Sequence, residues 1–180
     1  VQVCAEGYRC GEHVVSLPAG GGAVLHAILE PVSRGQLRIE GGMFVDDSGA
    51  VLPVMCHFGE ALSAWTRRPE AVRQQLATIR DAGYYGIRVW MVLGGDYWRG
   101  REVGPDVTPG YWQQVEGFLR AVRDAGLVAE ISAGDIGQIR DRRNYAERMA
   151  DACQAVGTAT CAVWESGNEA WQTGEPSPER

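Results

Sequence analysis

Near the end of the chain, Ser166-Gly167-Asn168-Glu169-Ala170-Trp171 follows an apolar run, Ala159-Thr160-Cys161-Ala162-Val163-Trp164. A carboxyl group leaving the end of a buried strand can give a proton to a departing oxygen and later take one from water. Beside it, the Asn168 amide can hold a neighbouring hydroxyl, and the Trp171 indole offers a flat apolar face. Acid, amide and indole together suit chemistry on a hydroxyl-rich substrate such as a sugar. An Asn-Glu dipeptide alone is common in surface loops, so its meaning depends on the elements that carry it.

Those elements repeat one theme. A strand at 53–58 precedes a helix at 69–82, with apolar positions Ala71, Val72, Leu76 and Ile79 and a stop at Gly83. A second strand, 86–93, precedes a helix at 109–125, with Thr108 as N-cap, Pro109 in the first turn and Gly126 past the end. A third strand, 127–132, precedes a helix at 144–156 closed by Gly157, with residues 140–143 read as a solvated loop. The fourth strand, 160–166, ends in the Asn-Glu pair. Ahead of the first unit, a hairpin runs 37–40, Gly41-Gly42, 43–45, turning again at Asp46-Asp47-Ser48-Gly49. Residues 1–36 differ, with Gly20-Gly21-Gly22 and strand-like runs at 14–17 and 23–29. They read as a β-rich appendage or the end of an upstream β module, with the main domain at 37–180.

Strand–helix alternation in units of roughly 35–40 residues implies parallel strands covered by helices. A doubly wound sheet and a (β/α)8 TIM barrel both fit. The barrel is favoured because no Gly-x-Gly-x-x-Gly turn follows the first strand. Polar and aromatic residues also gather just past each strand: His57 and Glu60, then Asp96-Tyr97-Trp98, then Asp135, then Asn168, Glu169 and Trp171. Barrel enzymes build their sites at the C-terminal ends of the strands, so these clusters are expected on one face. The expected fold is α/β, the first four βα units of a TIM barrel.

In that order and spacing, the residues resemble the N-terminal half of a clan A glycoside hydrolase, most of all the cellulase-like glycoside hydrolase family 5. Ile39-Glu40-Gly41-Gly42-Met43-Phe44-Val45-Asp46-Asp47-Ser48-Gly49 resembles the hairpin that leads into the first barrel strand. Gly86-Ile87-Arg88-Val89-Trp90 resembles the second strand, and Gly126-Leu127-Val128-Ala129-Glu130-Ile131 the third. Trp164-Glu165-Ser166-Gly167-Asn168-Glu169 resembles the fourth strand's signature, so the likeness runs over roughly residues 38–175. It implies retaining hydrolysis of β-linked glycans, with Glu169 as general acid/base and Asn168 on the hydroxyl beside the reacting carbon. It makes Arg88 the arginine that orients carboxylates, and it asks for no cofactor and no metal. The nucleophile would stand about 5–5.5 Å from the acid, at the end of a seventh strand. A full barrel needs about 250 residues, so the 180-residue chain is expected to lack that strand and to be inactive alone. Two positions depart from the pattern: Asp135 follows the third strand where a histidine is common, and Ala170 replaces a proline.

His57, Trp98, Trp171 and Asp135 complete the expected sugar-binding set. Trp90 and Trp164, inside strands, read as packing, and Glu165 as an inward carboxylate paired with an arginine. An oligo- or polysaccharide is the expected partner, with the C-terminal half of the same barrel as the second. The net charge of −6 argues against a nucleic-acid or anionic-membrane partner. No apolar run reaches the ~20 residues that span a bilayer. All 17 basic residues are arginine, which excludes Schiff-base lysine chemistry in this stretch. Cys56, Cys153 and Cys161 read as core residues. Cys4 and Cys10 either close a small disulfide loop, which would place the chain in an oxidising, secreted setting, or stay reduced. Two other readings stay open: a sugar-binding barrel without catalysis, held by Tyr97, Trp98 and Trp171, and a half barrel completed by a second copy or subunit.

Overall fold

The computed structural model describes Gln2, Val3, Gly11, Glu12 and residues 35–165. The Cys4–Cys10 pairing and the runs at 14–17 and 23–29 lie outside the described residues. The chain divides into two units, Val1–Ser33 and Arg34–Arg180. In the first, β1 (Gln2–Val3) pairs antiparallel with β2 (Gly11–Glu12).

The second unit opens on the expected hairpin, β3 (Arg38–Glu40) against β4 (Met43–Asp46), extended by a short third strand, β5 (Gly49–Ala50). Asp46 makes the second turn by accepting from the Ser48 N–H at 2.8 Å, which is the Asx-turn chemistry its side chain favours. Four strands then form one parallel sheet in sequence order: β6 (Met55–His57), β7 (Gly86–Val92), β8 (Val128–Gly134) and β9 (Cys161–Glu165). Helices α1 (Ala61–Trp65), α2 (Pro69–Asp81), α3 (Tyr111–Asp124) and α4 (Arg142–Val156) fill the connections. A parallel four-stranded sheet with helical crossovers is what part of a TIM-barrel-like fold looks like.

Alternation along the strands sorts the two sheet faces. On β7, Ile87, Val89 and Met91 are fully buried and join the helix-side core with Phe118 and Leu119 of α3. Arg88 and Trp90, one residue out of phase, are half-buried on the other face. On α3 the buried positions Tyr111, Val115, Phe118, Leu119 and Val122 keep the helical period that lays one stripe on the sheet. Gly86 is fixed by the closeness of β8: a Cβ there would lie 2.4 Å from the Val128 carbonyl oxygen. The Tyr111 hydroxyl donates to the Met91 carbonyl at 3.0 Å, tying α3 to the sheet inside the apolar layer.

Three of the element boundaries that differ from the sequence expectation have a clear local reason. Helix α3 starts at Tyr111, not near Pro109. The Thr108 hydroxyl accepts from the Gly104 N–H at 3.1 Å, closing the preceding turn, and Gly110 takes a left-handed φ of 64° before the helix begins. Helix α4 starts at Arg142, so Arg142 and Arg143 belong to its first turn and not to a loop. The Asp141 carboxylate accepts from the Asn144 N–H at 3.0 Å, capping the helix. Asp141→Ala is expected to cost about 1 kcal/mol, read as a lower urea midpoint at unchanged slope. The 3-10 turn Thr158–Thr160 takes the first residues expected of the last strand.

The cysteines also differ from simple core residues. Cys153 is buried, but Cys56 and Cys161 are half-buried. Cys153 and Cys161 hydrogen-bond to each other, so Cys161 holds its proton more tightly and Cys153 less tightly than an isolated thiol.

Candidate active site

The sheet face away from the helices carries the charged groups. Strand register puts His57, Arg88 and Glu130 side by side across β6, β7 and β8. One pleat further along, Trp90, Ser132 and Glu165 form the next row across β7, β8 and β9. Arg88 links the rows. Its Nε lies 3.2 Å from Glu130 Oε1, and one terminal nitrogen lies 2.8 and 2.6 Å from the two oxygens of Glu165. The side chains of Arg88, Glu130 and Glu165 are 23%, 23% and 30% exposed, so this pairing is partly shielded from water. A planar guanidinium can serve two carboxylates at fixed angles, which a lysine ammonium cannot.

An aromatic run borders this cluster. The rings of His57 and Trp90 meet edge to face at 5.1 Å, and those of Trp90 and Trp98 at 5.4 Å. The Arg101 guanidinium sits 4.9 Å over the Trp98 ring and pairs with Glu60 at 2.8 Å. Arg101 therefore joins the polar groups that follow β6 to those that follow β7. Tyr97, edge-on to Trp98 at 4.8 Å, is 79% exposed and presents the open aromatic surface here. Trp98 itself is half-buried beneath these neighbours. The Trp90 Nε1 donor is buried with no hydrogen-bond partner among the described residues. A buried donor left unmatched costs free energy, so an acceptor arriving there would be welcome.

Asp135 stands past the end of β8, where its N–H donates to the Val92 carbonyl at 2.9 Å. Gly134 before it must be glycine: φ is +72°, and a Cβ would lie 2.3 Å from that same carbonyl oxygen. Burial raises the Asp135 pKa above the ordinary 3.8, partly offset by a backbone hydrogen bond from Gly137. A raised carboxyl pKa means that the folded chain holds the proton more tightly than the unfolded chain. Stability is therefore lost as pH rises through the window above 3.8, and Asp135→Asn is expected to flatten that decline. Thermal midpoints of both proteins measured from pH 4 upward would check it; parallel curves would count against it.

The described structure thus gathers Arg88, His57 and Trp98 along one stretch of the sheet. Asp135 stands just past the C-terminal end of β8. Glu169, Asn168 and Trp171 lie outside the described residues, and β9 is described as far as Glu165. Glu165 pairs with an arginine as its in-strand position suggested. Glu130 as second partner of Arg88 went unread, although its place in an apolar strand was a usable signal. Trp164, read as packing, is 48% exposed and lies on the helix side, over an apolar cavity of about 240 Å³ reaching Tyr145 and Met149. Among the described residues, no three His, Cys, Asp or Glu side chains form a group that could hold a metal ion.

No family model matches the chain, and no curated protein matches it. Among solved structures it is similar to a glycoside hydrolase family 5 protein from Bacteroides vulgatus ATCC 8482, at a TM-score of 0.53 and 13% identity. The likeness covers 78% of this chain and 36% of that one, so the chain matches about a third of its length. At this identity the likeness speaks for the fold alone.

Proposed function

We propose that residues 37–180 supply the first four βα units of a TIM-barrel glycoside hydrolase of the family 5 kind, acting on β-linked glycans by the retaining route. Glu169 protonates the glycosidic oxygen as it departs. A carboxylate from a seventh strand attacks the anomeric carbon, and Glu169, now a base, activates the water that releases the sugar. Asn168 holds the hydroxyl beside the reacting carbon, and Arg88 positions carboxylates from below. His57, Trp98, Trp171 and Asp135 contact the glycan. The partners are an oligo- or polysaccharide and the C-terminal half of the same barrel, with neither nucleic acid nor membrane involved.

The Arg88 bridge to Glu130 and Glu165 carries this reading. A guanidinium shared by two half-buried carboxylates sits on the sheet face away from the helices, and one of the two, Glu165, precedes the Asn168-Glu169 pair by three residues in sequence. One further observation favours completion of the barrel by more strands. No strand pairs with the outer edges of β6 or β9 among the described residues, and Ile39, Met43, Phe44, Leu52 and Val54 expose apolar surface. The same observation would suit a half barrel closed by a second subunit.

The test is hydrolysis of β-1,4-linked glucan, mannan and xylan by the longest natural translation product containing this sequence, against the 180-residue chain. Sugar release by the long product alone is the expected result. A long product that binds these glycans and never cleaves them would replace the reading with a sugar-binding barrel.

A further inference from the structure

Beyond the Arg88 cluster, the loops after β7 and β8 enclose a separate cavity of about 190 Å³. It is smaller than sites that hold drug-sized molecules and of a size for about one sugar ring. Its floor is apolar, made by the buried Val92, Leu93 and Val103, with the exposed Val107 at its edge. Its walls carry Glu102 and Gln138, whose side chains make no hydrogen bond to another described residue, and the loose Asp106–Arg140 pair at 3.6 Å. Gly94 and Gly95 add backbone N–H groups that no described carbonyl accepts from. An apolar floor with unused donors and acceptors on the walls is what a sugar ring, with its C–H faces and hydroxyl edges, requires.

The wall is built before any ligand arrives. Leu93 and Val103 exchange both backbone hydrogen bonds, at 2.9 and 3.0 Å, pinning the loop into a closed ring. The Ser63 hydroxyl of α1 and the Arg67 guanidinium just past its end hold that loop through the Arg101 and Gly100 carbonyls at 2.6 and 2.8 Å. A pre-formed pocket spares a ligand the entropy of ordering it. Two carboxylates face one guanidinium here, so an anionic sugar would be repelled and a neutral one accepted.

Resting on the glycosidase reading above, we propose that this cavity is a subsite for one unit of a neutral β-linked glycan. Val92 is four residues beyond Arg88 on β7, about 13 Å along the strand at 3.3 Å per residue. The subsite would therefore seat a unit away from the bond being cut, with Glu102 and Gln138 gripping its hydroxyls. It would set how far along a chain the enzyme reads, not the chemistry itself.

The experiment is an amide NMR titration of the 180-residue chain with neutral β-1,4-linked tetrasaccharides of glucose, mannose and xylose, and with a tetragalacturonate as the anionic control. The Gly94, Gly95 and Gly104 amide signals should shift saturably with at least one neutral sugar and not with the control. The double variant Glu102→Ala, Gln138→Ala, at unchanged thermal midpoint, should weaken that binding roughly tenfold or more. Three unmoved signals, a tighter response to tetragalacturonate, or a double variant that binds equally well would each overturn the subsite. The titration reads binding and needs no bond cleavage, so it is independent of whether the longer product hydrolyses anything. Hydrolysis without these shifts removes the subsite and keeps the reaction, and shifts without hydrolysis do the reverse.

Discussion

Glu169→Gln, made in the longest natural product, is expected to lower glycan hydrolysis by about 10²–10⁴-fold, the usual contribution of a positioned proton donor. Glutamine keeps the shape and the hydrogen-bonding oxygen but cannot hand over a proton. Sugar binding should therefore survive while bond cleavage collapses. If Glu169 is the proton donor, activity should fall at high pH as the donor loses its proton, and that alkaline limb should vanish in the variant. A substrate with an easily departing phenol group needs no protonation, so its first step should survive as a burst of phenol. Slow sugar release should follow, because the base for the second step is also gone. Undiminished hydrolysis of ordinary glycans would remove Glu169 from the mechanism.

Arg88→Met is expected to cost about 3 kcal/mol, the low end for breaking a buried ion pair, because the partners keep some exposure. Methionine fills similar volume, so the loss comes from Glu130 and Glu165, left facing each other without their shared cation. Arg88→Lys should recover only part, since one ammonium cannot reach both carboxylates at the angles that a guanidinium fork allows. Neutralising the stranded charges with Glu130→Gln and Glu165→Gln in the Arg88→Met background should restore most of the loss. Urea midpoints across this series read all three effects. A cost below about 0.5 kcal/mol would class the cluster with exposed ion pairs of little worth.

Much of the local structure was legible because it depends on local rules. Pro69 at the first turn and the Val72 and Leu76 spacing mark α2, and the helix runs Pro69–Asp81 as that pattern requires. Gly41-Gly42 and the Asp46 turn mark the hairpin for the same reason. The misreadings also have physical causes. Thr108 looked like an N-cap because its hydroxyl can serve one, but that hydroxyl was already engaged by the Gly104 amide. Asp141 does the capping that arginine-rich surroundings concealed. Ala71 fits the apolar stripe of α2 by type, yet it is exposed, since the helix rolls to seat Val72 and Leu76.

By itself, the sequence determined the alternation of strands and helices and the parallel direction of the four strands. Which carboxylates Arg88 meets was decided only by tertiary structure. Between β8 and β9 the register slips at Ala129/Glu130: Ala129 pairs with Cys161, but Glu130 pairs with Val163. That one extra residue sets Glu165 beside Ser132 on the inner face and sends Trp164 to the helix side next to Ile131. Without it, Trp164 would face Arg88, and Glu165 would be turned toward the apolar layer. A strand's side chains alternate with a period of two, so a single-residue bulge exchanges its faces. Such a bulge is fixed by how neighbouring strands pack and not by the residues that compose it.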